Sequence, residues 1–238
     1  DLFASDQAEL PVAEAAFFYR NRTQLPVQES GGLKIGYFKS GTHRVVDQKF
    51  CPINHDLINR TLAVVRRRVV DAGVPAYDER KHGGQLRHLA VKVGVNTRQL
   101  FVTFVTTGPD LDRRLYEDLH QALPETVGVT QNLNPGRTNR VLGPENRRLW
   151  GNDYYEERVD GFIYRIRTSS FFQVNTRVFE RILKIIRERL VLTGREAVLD
   201  LYSGVGVIGS CLSARVRDIV AVEENSETVE DGIASART

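Results

Sequence analysis

The residues most able to do chemistry lie in AVLDLYSGVGVIG, residues 197–209, where Asp200 closes an apolar run and Gly204, Gly206 and Gly209 follow it. A second carboxylate, Glu223, ends the next apolar run, at the interval of about 20 residues at which nucleoside-binding folds place an acid on the ribose. Glycines let a backbone turn tightly and approach a ligand closely, and a carboxylate at that distance accepts both ribose hydroxyls. The pattern fits S-adenosylmethionine, a nicotinamide or flavin dinucleotide, or a plain structural turn. Asp200, directly before the turn, favours the first: a carboxylate aimed at the ligand repels a pyrophosphate but suits the cationic amino-acid part of S-adenosylmethionine. Glu223 also has a blander reading, because it opens an acidic run with Glu224, Glu227 and Glu230 that would suit a solvated helix start.

These residues need a sheet and helices to hold them. Ala197 to Leu201 reads as a short buried strand, Gly204 to Gly209 opens a helix, and Ile219 to Glu223 is the next strand, the beginning of a doubly wound α/β unit. Ahead of it Gly161 to Arg167 alternates as a strand. Val178, Phe179, Ile182, Leu183, Ile186 and Leu190 form a helical stripe with Asn175 or Thr176 as N-cap and Gly194 as the stop. The first half reads differently. Tyr19 to Gln28 and Leu33 to Phe38 form a hairpin about Gly31-Gly32, and Leu86 to Val95 and Gln99 to Thr106 form a second about Asn96-Thr97-Arg98. Between them His55 to Ala72 carries an apolar face at helical spacing, and Asp110 to Leu123 is expected to be a second helix, stopped by Pro124. Asn132 to Gly151, rich in Asn, Pro, Gly and Arg, reads as an ordered loop or linker.

The 238 residues are 41% hydrophobic and 26% charged, which excludes a disordered or collagenous chain, and two cysteines exclude a disulfide-stapled scaffold. No run approaches the roughly 18 apolar residues of a membrane span, so a cytoplasmic location without membrane attachment is expected. The net charge of +3 is uneven: residues 1–150 carry 21 basic and 16 acidic side chains, and residues 151–238 carry 12 and 14. A basic first half is compatible with a polyanionic partner and equally with a solvated surface. Arg20, Arg22, Arg87, Lys92, Arg137 and Arg140 are its candidate phosphate contacts.

SFFQVNT (170–176) followed by VLDLYSGVGVIG closely resembles the RNA uridine carbon-5 methyltransferases, which use S-adenosylmethionine to make 5-methyluridine. The resemblance continues through YRNRTQLPV (19–27), GGLKIGYFKSGTHRVVD (31–47), CPIN (51–54), LRHLAVKVG (86–94), QNLNPGRTNRVLG (131–143) and LWGNDYYEE (149–157). The segment 131–143 is more like the 23S ribosomal RNA branch than the transfer RNA branch. The family implies a mixed α+β central domain, 1–157, that faces RNA and is associated with an iron-sulfur cluster. After it comes the first part of a Rossmann-like S-adenosylmethionine-dependent methyltransferase domain, 158–238.

The family's cofactor contacts fall on Gln173, Tyr202 and Glu223, beside Asp200, Gly204 and Gly206 of the turn. Val207 stands where the family has Asn or Thr, and Ser203 where many members have Cys, so one polar cofactor contact is lost. By spacing alone Gln173 is as well read as a loop residue satisfying backbone groups, and Phe171 and Phe172 as core residues. Cys51, before Pro52, resembles the last of four ligands of a 4Fe-4S cluster, and is otherwise a buried thiol; Cys211 reads as a small core residue. The resemblance also implies a Cys thiolate adding to carbon 6 of the uridine, methyl transfer to carbon 5, and removal of the carbon-5 proton by a base. In the family the nucleophilic Cys and the base belong to later segments, which places both beyond Thr238. Neither cysteine here occupies the nucleophile's place, so no catalytic residue is assigned and these 238 residues are expected to be inactive alone. With no methionine in the chain, the reading is of a fragment of a longer enzyme, the alternative being a noncatalytic RNA-binding derivative. Neither the particular uridine nor the oligomeric state is legible.

Overall fold

The computed structural model describes residues 16–236. Thr238, beyond which the nucleophile and the base are expected, lies outside the described residues. Seven strands, β1 (Arg22–Glu29), β2 (Leu33–Phe38), β3 (Val45–Asp47), β4 (Leu86–Val93), β5 (Leu100–Thr106), β6 (Thr126–Leu133) and β7 (Glu145–Gly151), form one sheet among the described residues, in the order β3-β2-β1-β4-β5-β6-β7. Every neighbouring pair is antiparallel except β5 and β6. The two expected hairpins are present as β1–β2 and β4–β5.

Strands β4 and β5 are buried along their whole length, so both faces of the sheet must be covered. On one face Leu89, Val91, Val93, Leu100, Val102 and Phe104 meet Leu57, Ile58, Leu62, Val65 and Val69 of helix α1 (Asp56–Ala72). His55 caps that helix by accepting from the Leu57 N–H at 3.2 Å, and Gly73, left-handed at φ 67°, closes it by donating to the carbonyls of Val69 and Val70. On the other face Phe101 packs with Tyr155, Val159, Tyr164 and Ile166 of a second antiparallel pair, β8 (Tyr154–Val159) and β9 (Phe162–Arg167). The period-2 alternation of β5 thus divides its side chains between two cores.

Two expectations require correction. Asp110 to Leu123 is not one helix: it is a 3₁₀ turn, Arg113–Leu115, and a short helix α2, Leu119–Ala122. Leu115, Leu119 and Leu123 keep the buried stripe, but the Arg68 guanidinium of α1 takes the carbonyls of Arg114 and Asp118 at 3.1 and 2.9 Å, acceptors that a continuous helix would use itself. Asn132 to Gly151 is not a loop throughout, because β6 extends into it and β7 fills its end. Asn132 and Asn134 read as turn formers because they are polar, yet both are buried, Asn132 bonded to Asn146 and the Gly143 carbonyl and Asn134 to the carbonyls of Arg140 and Val141.

After β9, helix α3 (Thr176–Arg189) starts at Asn175, whose side chain accepts from the Val178 N–H. Strand β10 (Ala197–Leu201), helix α4 (Val207–Leu212), strand β11 (Asp218–Val222) and helix α5 (Ser226–Ser235) complete the described chain. β10 and β11 are parallel and in register, Asp200 beside Ala221 and Leu201 beside Val222, the β-α-β arrangement in which ligands bind beyond the carboxyl ends of the strands. No helix among the described residues is long and apolar enough to cross a membrane.

Candidate functional site

Strand β10 ends in a turn whose backbone only glycine adopts without strain at two points, Gly204 at φ 57° and Gly206 at φ 81°. A Cβ built on either would enter open space, so the turn leaves room for a ligand to approach its backbone. Tyr202 is also left-handed, at φ 57°, and is 89% exposed. Gly209, in α4, is closely packed instead: a Cβ there would lie 3.2 Å from the Ile219 side chain.

The two carboxylates have different tasks. Glu223, at the end of β11, accepts from the Gly204 N–H at 3.0 Å and from the Asn225 N–H at 3.0 Å. It is therefore held at the rim of the turn with lone pairs still available. Asp200 accepts from the Gly209 N–H at 3.2 Å. Burial raises its pKa and that hydrogen bond opposes the rise, so Asp200 braces the start of α4 against β10. Ser203, Gly204, Gly206, Glu223, Ala221 and Gly232 are among the walls of a cavity of about 440 Å³ between the turn, β11 and α5, within the range of small-molecule sites. Asp200, Tyr202 and Gln173 are not in its wall.

Gln173 is exposed on the segment between β9 and α3, with its carbonyl accepting from Asn21 Nδ2 at 2.8 Å. Phe172 is buried beside Phe179 and Tyr164, as a core residue would be, whereas Phe171 is 52% exposed with the Arg22 guanidinium 5.0 Å from its ring centre. Among the candidate phosphate contacts, Arg137 and Arg140 are exposed. Arg87 and Lys92 are buried, which removes them from that role. Arg87 donates to the carbonyls of Asn134, Gly136 and Thr138, and Lys92 to those of Arg167, Thr168 and Ser170.

Both cysteines are buried. Burial and the neighbouring Asp160 push the Cys211 thiol up to about 11, so it is a neutral core group. The backbone of Cys51 is fixed by Asn59, whose side chain accepts from its N–H and donates to its carbonyl, both at 3.0 Å. No group of three or more His, Cys, Asp or Glu side chains able to hold a metal exists among the described residues, and a four-iron cluster requires several thiolates. The described residues alone therefore cannot complete a cluster around Cys51. They do fit a nucleoside cofactor: the open glycine turn beside the Glu223 carboxylate is the feature such a ligand needs.

One residue of the region escaped the sequence reading. Asp231 falls in what looked like a solvated acidic helix, yet it is buried and accepts from the Arg167 N–H at 3.0 Å and from Ser170 Oγ at 2.7 Å. The buried face of α5 is Thr228, Asp231 and Ser235, so the helical spacing is present but no apolar residue marks it.

No family model matches the chain. Over 222 residues it is 34% identical to a protein of Halalkalibacterium halodurans named an uncharacterized RNA methyltransferase, a match covering 92% of this chain and 48% of that protein. A protein of Nostoc sp. with the same description is 35% identical over 231 residues, covering 95% of this chain and 50% of that protein. The chain spans about half the length of these relatives. Its fold is that of the Pyrococcus abyssi tRNA (uracil-54, C5)-methyltransferase solved with S-adenosyl-L-homocysteine, with a TM-score of 0.79 at 24% identity over 93% of this chain and 53% of the other.

Proposed function

We propose that this relative of the RNA methyltransferases, matched along nearly its whole length, is the RNA-facing and cofactor-binding part of an enzyme that transfers a methyl group from S-adenosylmethionine to carbon 5 of a uridine. The observation that carries the reading is the glycine turn at the carboxyl end of β10 with Glu223 fixed beside Gly204. Glu223 would accept the ribose hydroxyls. Gln173 and Tyr202 would contact the methionine part, Gly204 and Gly206 would let the cofactor lie close to the backbone, and Asp200 would hold the turn. The nucleophilic Cys and the base would come from segments beyond Thr238. The division near residues 157 and 158 into a central and a cofactor-binding domain belongs to the same proposal. So does Cys51 as a single cluster ligand, although the described residues supply no partners for it.

The motif at 131–143 supports ribosomal RNA as the substrate. Transfer RNA is the second reading, since the fold is shared with an enzyme that acts on it. Calorimetric titration of the 238-residue chain with S-adenosylhomocysteine tests the cofactor site: saturable binding is expected, weakened at least tenfold by Glu223→Ala. The absence of saturable heat would overturn the reading. Because both thiols are buried and Cys211 is held neutral, the same chain is expected to form no 5-methyluridine in a radiolabelled methyl-transfer assay on ribosomal or transfer RNA. Incorporation at carbon 5 by these residues alone would contradict that expectation.

A further inference from the structure

The segment from Arg167 to Thr176 has little ladder of its own, and its backbone is held instead by groups from elsewhere in the chain. From the central sheet, the Lys92 ammonium on β4 reaches it from the side opposite α1 and donates to the carbonyls of Arg167 at 2.6 Å, Thr168 at 2.8 Å and Ser170 at 2.9 Å. From α5, Asp231 accepts from the Arg167 N–H and the Ser170 hydroxyl and pairs with Arg167 Nε at 3.2 Å. From just before β1, Asn21 takes the far end: its N–H donates to the Val174 carbonyl at 2.9 Å and its side chain to the Gln173 carbonyl. Between these anchors the segment exposes Phe171 and Gln173.

We propose that Lys92, opposed by Asp231, is a positioning residue that clamps Arg167–Ser170 and so fixes Gln173 relative to the turn at Gly204–Gly206; the inference rests on the cofactor reading of that turn. Desolvating an ammonium is costly, and a hydrophobic residue of similar volume would fill the same place between sheet and segment. What only a cation with several donors supplies is simultaneous satisfaction of three carbonyls that converge from an irregular stretch. The clamp also joins the two halves of the molecule. Lys92 belongs to the seven-stranded sheet and Asp231 to the helix that follows Glu223, so the segment that bears Gln173 is tied to both.

Burial pulls the pKa of Lys92 down to about 7, Arg22 on β1 adds to that, and Glu227 and Asp231 on α5 oppose it. A neutral amine has one donor fewer and leaves one of the three carbonyls unmet.

Amide hydrogen exchange and S-adenosylhomocysteine titration of the 238-residue chain, wild type against Lys92→Met, test the clamp. Exchange in residues 167–174 is expected to rise at least tenfold, with β5 and β6 within twofold of wild type, and affinity to fall at least tenfold. Wild-type affinity should also weaken as pH rises through the Lys92 titration, and that slope should be missing from the variant. Unchanged exchange in 167–174, or faster exchange spread over the whole seven-stranded sheet, overturns the proposal. Should Lys92→Met fail to fold, Asp231→Asn is read by the same criteria. If the wild type binds no S-adenosylhomocysteine, the cofactor reading fails and the exchange measurement still decides the clamp.

Discussion

Tyr202 holds a left-handed backbone, which for a residue with a Cβ costs roughly 1 kcal/mol or more. Its ring is almost fully exposed, so no packing within the described chain explains why glycine is not used there. Tyr202→Gly is therefore expected to leave the melting temperature unchanged or raise it slightly, the relief of strain being partly offset by the greater freedom of glycine in the unfolded chain. The same variant should weaken S-adenosylhomocysteine binding severalfold in a titration. A lower melting temperature with unaltered binding would show that the tyrosine serves the fold and not a ligand. At this scale the spacing brings Glu223, Gly204 and Gly206 to one turn, while Asp200, Tyr202 and Gln173 stand outside the cavity wall beside it. Asp200 was legible as an important carboxylate but not as a brace, because the direction of its side chain depends on where α4 begins. Lys92 was misread as a surface cation, since nothing in the alternation of LRHLAVKV shows that both faces of that strand are covered.

Helix α3 shows how an element transmits position. Its N-cap, Asn175, lies two residues from Gln173, and its first turn is tied to the β8–β9 pair by Thr176, whose hydroxyl donates to Glu157 at 3.1 Å. Glu157, buried, also accepts from the N–H groups of Val95, Asn96 and Arg158, so a single carboxylate links the β4–β5 connection to the helix. Asn175→Ala removes the cap and is expected to cost about 1 kcal/mol in urea unfolding, with faster amide exchange confined to the first turn of α3. Helices α1 and α3 were readable from their period and β10 and β11 from short apolar runs, but β10 is not the buried strand its composition suggests: Leu199, Leu201, Val220 and Val222 are exposed because only two strands of that sheet lie among the described residues. The break between the 3₁₀ turn and α2 was not, because it is made by Arg68, whose partners Arg114 and Asp118 are distant in sequence.

The whole molecule has a buried imidazole that makes stability depend on pH. His88 in β4 is 8% exposed, and burial with the adjacent Arg87 charge lowers its pKa from 6.5 to about 4. The unfolded chain takes up that proton near pH 6.5 while the folded chain resists it until about pH 4, so the stability contributed is lost as pH falls through that interval. By linkage the loss between pH 7 and pH 4.5 is about 2 kcal/mol. Buried Asp231 and half-buried Glu227 have raised values and work in the opposite direction, favouring the folded state below their unfolded pKa and losing that contribution as pH rises. Urea unfolding of wild type and His88→Gln at the two pH values isolates the imidazole: the variant should lack the 2 kcal/mol component, and identical pH slopes would exclude it. The sequence by itself determined the local features whose causes are local: the glycine turn and its acid, a helix cap at Asn175 or Thr176, the alternating strands and the resemblance to RNA methyltransferases. Only the tertiary structure decided which charges face solvent and which hold the two halves together. Burial of Lys92, Arg87, Glu157 and Asp231 follows from surfaces that meet across long separations along the chain, and no short-range pattern encodes that meeting.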